Sequence, residues 1–250
     1  MALSSIISGI KAIKGAKPAF RYARRFVKAC LGKDHLIPVD VRIPKLRLGN
    51  DWADWVVVPH LLERGKPIVY SVGLGSDISF DLAMIDRFGC DIFGFDPTPI
   101  SQDYLNSIAL PAAMHVYPFG LATFDGTKTF GVPSEGDVSF SSVTGGGLNL
   151  EVRKISSLMA MLGHDHIDLL KMDIEGDEYD CVRQLLDEKI FPAQLLVEFH
   201  HGYYDIEVGR TRRAIDGLHE AGYKIFDISP LGREISFIHS SALADAKTSP

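Results

Sequence analysis

Acidic and imidazole side chains stand at the ends of two apolar runs in the second half of the sequence. Asp173 and Glu175 directly follow one run, and Glu198 and His200 lie at the end of the other. A histidine can take a proton from a hydroxyl group, and carboxylates can do the same or bind a hard divalent cation. We therefore predict catalytic roles for Asp173, Glu198 and His200. Asp173 and Glu198 are also candidate metal ligands, and Glu175 could be a third.

Each of these side chains also has a purely structural explanation. Asp173 could have no role beyond capping the helix that follows it, and Glu198 none beyond accepting hydrogen bonds from backbone amides. His200 could be a hydrogen-bonded interior histidine. The string His164-Asp165-His166 has the composition of a triad. Because it precedes an apolar run instead of following one, we expect a loop far from any ligand.

A second set of residues is typical of a nucleoside site. The string from Ser71 to Asp77 follows an apolar run, and its Gly73 and Gly75 let the backbone turn tightly and approach a ligand. Asp96 follows the next apolar run, 21 residues after Gly75. A carboxylate at this spacing accepts hydrogen bonds from the two hydroxyls of a ribose. Strand, glycine turn, helix, strand and acid in this order predict a nucleoside-containing ligand.

The missing third glycine narrows the choice of nucleoside. A dinucleotide fingerprint needs Gly or Ala where this chain has Ile78, and no G-K-[ST] of a triphosphate loop occurs. A ligand with a ribose but no phosphate remains, such as S-adenosylmethionine. The predicted cofactor-binding residues are Ser71, Gly73, Gly75, Asp77, Asp96, Gly120 and Leu121. We expect the last two to contact adenine through backbone or apolar atoms.

These residues need a sheet whose strands end at one edge. Apolar runs predict strands at 68–72, 91–95, 114–119, 167–172 and 194–199, and helical patterns lie between them at 79–88, 100–109, 155–162 and 175–189. The alternation predicts a doubly wound α/β fold with a mostly parallel sheet, whose ligands bind beyond the carboxyl ends of the strands. Two further strands, at 224–229 and 234–239, predict a terminal antiparallel hairpin.

Other segments surround or interrupt this pattern. Residues 4–31 predict an amphipathic helix that Pro18 kinks or divides, and Asp51 predicts the start of a helix at 51–64. Residues 123–150 predict an inserted β-hairpin plus loop, whose Ser- and Gly-rich part at 134–147 could either close over an acceptor or simply be a mobile hairpin. We expect three parts in the chain, namely a basic helical extension at 1–60, a catalytic domain at 61–243 and a frayed tail at 244–250.

Composition excludes several classes of protein. The chain has 250 residues, of which 46% are hydrophobic and 23% charged, and no window approaches the ~20 uninterrupted apolar residues of a membrane span. Its three distant cysteines suggest neither disulfides nor a zinc site, so we expect a cytoplasmic location. Residues 1–33 hold eight basic and no acidic residues, so the rest carries -14 (-6 minus 8). This acidic body argues against nucleic acid as a partner.

The basic amino-terminal helix leaves alternatives open. It could contact an anionic membrane surface or a partner, or it could cap the domain with its basic face in solvent. A transit peptide is a third possibility, although the sequence shows no evident cleavage signal.

Four strings together resemble the FkbM-type methyltransferases. They are Val-Tyr-Ser-Val-Gly-Leu-Gly at 69–75, Phe-Gly-Phe-Asp-Pro-Thr-Pro at 93–99, Leu-Leu-Lys-Met-Asp-Ile-Glu-Gly-Asp-Glu-Tyr at 169–179 and Leu-Leu-Val-Glu-Phe-His at 195–200. The resemblance covers residues 68–239. It implies a seven-stranded, Rossmann-like class I methyltransferase fold with an antiparallel last strand, and O-methylation of small molecules or sugars. Ser71 departs from the pattern, which usually has Asp; Asp77 could then contact the methionyl amino group instead.

From these observations we expect an S-adenosylmethionine-dependent O-methyltransferase acting on a small polar acceptor such as a sugar hydroxyl. The sulfonium methyl is already activated, so positioning of the acceptor lowers the barrier most. A noncatalytic cofactor-binding or scaffold protein is the main alternative, and the change at Ser71 favours it. A nucleotide-dependent oxidoreductase is the second.

Overall fold

The structure, a computed structural model, describes residues 16–51, 53–131, 141 and 147–246. In chain order its strands are β1 (Leu46–Leu48), β2 (Trp55–Val57), β3 (Ile68–Val72), β4 (Asp91–Phe95), β5 (Met114–Tyr117), β6 (Gly120–Leu121), β7 (Gly126–Gly131), β8 (Gly147–Arg153), β9 (Leu169–Met172), β10 (Gln194–Glu198), β11 (Tyr223–Ile228) and β12 (Glu234–His239). Its helices are α1 (Ala16–Cys30), α2 (Ser79–Phe88), α3 (Pro99–Ser107), α4 (Ile155–Leu162), α5 (Glu178–Asp187), α6 (Val208–Glu220) and α7 (Ser240–Ala246).

Seven of these strands form the central sheet, in the order β11-β12-β10-β9-β3-β4-β5. Strands β5, β4, β3, β9 and β10 pair in parallel, whereas β12 lies antiparallel between β10 and β11. Strands β3, β9 and β10 are buried on both faces, which is why they are continuous apolar runs in the sequence. The predicted doubly wound α/β fold with an antiparallel last strand and a terminal hairpin is confirmed.

Helices cover both faces of this sheet. Helices α4, α5 and α6 pack on the face that holds Tyr70 and Leu170. Helices α2 and α3 pack on the opposite face, which holds Val69 and Leu169. Successive strand residues therefore point into two separate cores, and the strands are held in place from both sides.

The segment before β3 is a short antiparallel pair, and the predicted helix at 51–64 is wrong. Strand β1 pairs with β2, and a 3-10 turn at Pro59–Leu61 follows. Residues 56–58 are three buried valines, and successive β-branched side chains favour extended backbone. Gln194 fixes the segment, because its side chain accepts a hydrogen bond from Val58 N (2.6 Å) and donates one to Val58 O (3.2 Å).

The amino-terminal part of the chain lies against the body of the protein. The expected helix over 4–31 is confirmed for α1, and residues 1–15 lie outside the described residues. After α1, Asp40 N donates to Ile225 O (2.9 Å). This contact and the buried residues of β2 show that part of the segment before residue 60 packs on the body, and the border expected at residue 60 stays a prediction.

The residues after β5 turn into a second sheet instead of extending the predicted strand to residue 119. This sheet has the order β6-β8-β7, and β7 and β8 form the predicted hairpin. Asp125 stabilises the open end of this hairpin, since its Oδ1 accepts a hydrogen bond from Lys154 N (2.8 Å). Residues 132–140 and 142–146, which include most of the loop expected to close over an acceptor, lie outside the described residues.

Helix α7 follows β12 and includes the first three residues of the predicted tail at 244–250. Residues 247–250 lie outside the described residues. Within the described part of the chain, no helix combines the length and the apolar character that crossing a bilayer requires.

Candidate active site

A cleft of about 740 Å³ opens beyond the carboxyl ends of β3, β4, β9 and β10. The predicted site residues that line it are Gly73, Gly75, Asp77, Asp96, Gly120, Leu121, Asp173 and Glu198. Ser71 and His200 are buried beside lining residues. The cleft also has walls that the sequence analysis missed, including Asn50, Trp55, Asp81 and Lys171. Only Lys171 had a visible signal, as a single cation inside an apolar strand.

The glycine turn after β3 packs tightly against the end of β9. Gly73 has a φ of 79°, and a Cβ on it would lie 1.7 Å from Asp173 O. Its amide donates to Phe95 O (3.0 Å), while Asp173 N donates to Val72 O (3.0 Å). Both the positive φ and the contact with a backbone carbonyl exclude any side chain at this position. The turn thereby brings the ends of β3, β4 and β9 together.

Asp96 fixes the shape of the same turn. Its Oδ2 accepts hydrogen bonds from Leu74 N and Gly75 N, both at 2.9 Å. Its Oδ1 accepts from Thr98 N (2.9 Å) and from Thr98 Oγ1 (2.6 Å). A carboxylate offers about four lone-pair sites, so a ribose at Asp96 would share or replace these contacts. The role of Asp96 in ribose binding stays a prediction.

The wall next to Asp96 is apolar and close-packed. Gly120 lies beside Pro97, whose Cγ would be 3.1 Å from a Cβ at residue 120. Leu121 and Phe95 are buried and line the same part of the cleft. This part of the cleft is therefore apolar, and the adenine contact of Gly120 and Leu121 stays a prediction.

Carboxylates surround His200 at the opposite end of the cleft. Its Nε2 lies 3.1 Å from Glu175 Oε2, 3.7 Å from Asp173 Oδ1 and 3.9 Å from Glu198 Oε1. Its Nδ1 lies 3.3 Å from Glu178 Oε1. Glu178 is fully buried and also accepts hydrogen bonds from two backbone amides, those of Gly176 after β9 and His200 after β10. The three predicted catalytic residues are thus brought together, along with Glu175 and Glu178.

These partners determine the protonation of His200 when no cation is bound. Burial alone lowers its pKa, but hydrogen bonds to Glu175 and Glu178 raise that pKa to about 11. Both ring nitrogens face carboxylates, so both must donate and the ring is an imidazolium. This arrangement favours a neighbouring carboxylate over His200 as the acceptor of a proton, and the role of His200 as a base stays a prediction. Burial raises the pKa of Asp173, and burial together with the charge of Asp173 raises the pKa of Glu198.

Glu175 occupies an unusual backbone conformation in this group. Its φ of 52° lies in the left-handed region, which is uncommon for a residue with a long side chain. Tyr204 OH donates to Glu175 Oε2 (2.9 Å), the oxygen that also faces His200. Strained positions of this kind often occur at functional sites. Here the conformation aims the carboxylate at the histidine.

His201 belongs to a different cluster, which attaches α1 to the body. Its Nε2 lies 3.3 Å from Asp34 Oδ1, and its Nδ1 lies 3.1 Å from Thr211 Oγ1. His35 Nε2 donates to Gly232 O (2.9 Å), so His35 Nδ1 must accept from Arg25 Nη2 (3.2 Å). Burial and the neighbouring Arg25 charge lower the pKa of His35 to about 4. This cluster lines none of the cleft.

Comparison with known proteins gives matches to methyltransferases. A family model described as a methyltransferase FkbM domain matches residues 43–225. The human "Probable methyltransferase-like protein 24" is 27% identical over 159 residues, which is 62% of this chain and 38% of that protein. The chain thus spans well under half the length of this relative.

Two solved structures are similar to this chain at low identity and a low TM-score. Methyltransferase FkbM from Methylobacillus flagellatus KT is 14% identical with a TM-score of 0.44, covering 70% of this chain and 44% of that one. Human methyltransferase-like protein 13 in complex with SAH is 13% identical with a TM-score of 0.44, covering 73% of this chain and 76% of that one.

Proposed function

The chain belongs to the FkbM methyltransferase family, and from this premise we propose that it is an S-adenosylmethionine-dependent O-methyltransferase of small polar acceptors, sugars in particular. One observation carries the proposal. Asp173, Glu198 and His200 meet at one end of a cleft, the glycine turn packs against Asp173, and Asp96 lies on the far side of that turn. The cleft thus offers a nucleoside end and an acid-base end.

The residues present fit such a cofactor. The glycine turn leaves its backbone accessible, Asp96 offers a carboxylate for the ribose, and the wall at Gly120 and Leu121 is apolar. When bound, S-adenosylmethionine supplies an electrophilic methyl group on its sulfonium. The chain's contribution is to hold an acceptor oxygen in line with that methyl group and to remove the hydroxyl proton. A sugar is suited to this end of the cleft, because its hydroxyls can donate to the carboxylates of Asp173 and Glu198.

The hydroxyl proton has two possible destinations in this proposal. Without a cation, Asp173 accepts it, because a carboxylate with a raised pKa is a better base. Alternatively, Asp173, Glu175 and His200 would hold a divalent cation, since one ligating atom of each lies within 4.8 Å of the others. A cation there would make the hydroxyl more acidic. Dialysis against a chelator decides between the two: activity lost and then restored by Mg²⁺ or Mn²⁺ supports the cation, and unchanged activity supports Asp173 alone.

Binding and transfer assays test the function itself. We expect calorimetry to show binding of S-adenosylmethionine and of its demethylated product, and Asp96→Ala to weaken both by about 1–3 kcal/mol. Asp91→Ala is the matched control, because Asp91 lies at the opposite end of the same strand and pairs with Lys66. Labelled methyl from the cofactor should enter carbohydrate fractions of a cell extract.

Other outcomes favour the alternatives. Cofactor binding without transfer to any fraction would indicate a scaffold protein, and binding of NAD instead would indicate an oxidoreductase. Label that enters RNA would overturn the small-acceptor proposal. The expectation that nucleic acid is not a partner rests on the acidic charge of the body alone.

We also propose that α1 makes peripheral contact with an anionic membrane surface. The helix attaches to the body through Arg25, which is 8% exposed, whereas its apolar side chains Tyr22, Phe26 and Val27 are 51–58% exposed, and Leu31, directly after the helix, is 66% exposed. Basic residues Arg24 and Lys28 are exposed beside them. An exposed apolar face flanked by cations is typical of interfacial helices, and a capping helix would bury that face.

Vesicle sedimentation tests this contact. We expect binding to vesicles that contain phosphatidylserine, weaker binding at high salt, and at least a tenfold loss on Phe26→Glu. Leu82→Glu is the control, because Leu82 is an exposed apolar residue on another helix. Equal binding of both variants would overturn the proposal.

A further inference from the structure

Charged and polar groups that the proposed reaction does not use meet between the glycine turn and β9. Lys171 of β9 lies opposite Ser71 of β3, and Asp81 lies in the first turn of α2. Lys171 is 6% exposed, Asp81 1% and Ser71 0%, and both Lys171 and Asp81 line the cleft. The ring of Trp55 covers this group, with its centroid 5.7 Å from Lys171 Nζ.

These groups have capacity for further hydrogen bonds. Lys171 Nζ has three donors, but Gly73 O (2.6 Å) is its only hydrogen-bond partner in the described part of the chain. Among those same residues, Ser71 Oγ and Asp81 Oδ1 have no partner of normal geometry. Burial raises the pKa of Asp81, although the charge of Lys171 and the nearby Ser71 hydroxyl act against this. Buried polar groups rarely lack partners, so a ligand is a natural candidate to supply them.

The order of the strands places this group relative to the rest of the cofactor. Asp96 directly follows β4, the glycine turn directly follows β3, and Lys171 lies in β9, and these three strands are neighbours in the sheet. A nucleoside at Asp96 that extends along this edge passes the glycine turn and reaches Lys171 and Asp81. In S-adenosylmethionine the part beyond the ribose is an amino acid, which carries one carboxylate and one ammonium.

We propose that Lys171 and Asp81 bind this amino-acid end, with Lys171 contacting the carboxylate and Asp81 contacting the ammonium. The assignment rests on the proposed function and deepens it. Asp81 would then supply the negative charge that the neutral Ser71 lacks. Asp77, the residue suggested by the sequence, is less suited because its oxygens accept hydrogen bonds from Ser79 N (2.9 Å) and from Asn50 Nδ2.

Two ligands that differ only in the amino-acid end test the assignment. S-adenosylhomocysteine has this end, and 5′-methylthioadenosine has a methyl group in its place. By calorimetry we expect Asp81→Asn and Lys171→Met each to weaken S-adenosylhomocysteine binding at least tenfold and to leave 5′-methylthioadenosine binding within twofold. Asp86→Asn is the matched control, because Asp86 lies on the exposed side of the same helix; it should change neither affinity.

Three other results would be decisive. Equal weakening of both ligands would overturn the assignment, since the pair would then only support the glycine turn, and unchanged S-adenosylhomocysteine binding would overturn it outright. Thermal unfolding checks each variant; if Lys171→Met does not fold, Asp81→Asn and Lys171→Gln decide. A wild-type chain that binds neither ligand would contradict the proposed function itself, which separates the two failures.

Discussion

His200 and His201 are adjacent in the sequence and both are buried, yet their pKa values are shifted in opposite directions. His200 lies between carboxylates at the end of the cleft, and both of its ring nitrogens donate. His201 lies in the cluster that attaches α1, where one nitrogen accepts from a threonine hydroxyl and burial lowers its pKa. Burial disfavours the charged ring in both cases, so the hydrogen-bond partners decide the outcome.

The difference separates a reactive region from a structural one. The carboxylates around His200 line a cleft, and the pKa values of Asp173 and Glu198 are raised, as is common at catalytic sites. The cluster of Arg25, Asp34, His35 and His201 is buried with its polar atoms hydrogen-bonded, as in a packed interior. Substitutions in the first region should affect turnover, and those in the second should affect stability.

The largest effect should come from Asp173. Replacing it by Asn keeps its size and removes its charge, so we expect turnover to fall about 100-fold or more while S-adenosylhomocysteine binding stays within threefold. Methyl-transfer kinetics and calorimetry measure the two quantities. Asp168→Asn is the matched control. Asp168 lies at the amino end of β9, and its carboxylate accepts a hydrogen bond from Ile68 N. Full turnover in Asp173→Asn would mean that the acceptor is activated elsewhere.

A smaller effect, on stability alone, should come from Asp34. Its carboxylate lies 3.7 Å from Arg25 Nε and accepts a hydrogen bond from His35 N (2.7 Å). Asp34→Asn leaves a buried guanidinium without its counterion, so we expect the free energy of unfolding in urea to fall by about 2 kcal/mol. Turnover of the folded enzyme should stay within twofold. A large loss of turnover without a change in stability would erase the distinction between the two clusters.

The smallest effect should be a difference in acid stability at His35. Its folded pKa of about 4 lies below the ordinary 6.5, so between these pH values the unfolded chain binds a proton that the folded chain does not. Stability should therefore decrease as the pH falls from 6.5 to 4, and the decrease should be larger in the wild type than in His35→Gln. Glutamine can donate to Gly232 and accept from Arg25, as the neutral ring does.

Urea unfolding at several pH values measures this difference. If the free energy of unfolding changes equally with pH in the wild type and in His35→Gln, His35 is protonated in the folded chain over this pH range. His219→Gln is a control, because His219 is a partly exposed histidine paired with Asp40 at the surface.

Much of the candidate site could be predicted from the sequence because it depends on short, local patterns. Continuous apolar runs indicated the buried parallel strands, and residues directly after such runs meet at one edge of the sheet. This is why Asp96, Asp173 and Glu198 were found by their positions alone. The helix predicted at 51–64 failed for the opposite reason, since its apolar residues are buried by contacts with β10 and β12 that lie far away in the sequence.

The sequence by itself determined the family, the positions along the chain of the strands of the central sheet, and the residues at their ends. Only the tertiary structure decided what each polar side chain does there, because protonation depends on which groups lie within a few ångströms. Glu175 and Glu178 make His200 an imidazolium, which no spacing rule reveals. Likewise, Lys171 and Asp81 are 90 residues apart in the chain and line one cleft because β3 lies between β9 and β4 and α2 packs over them.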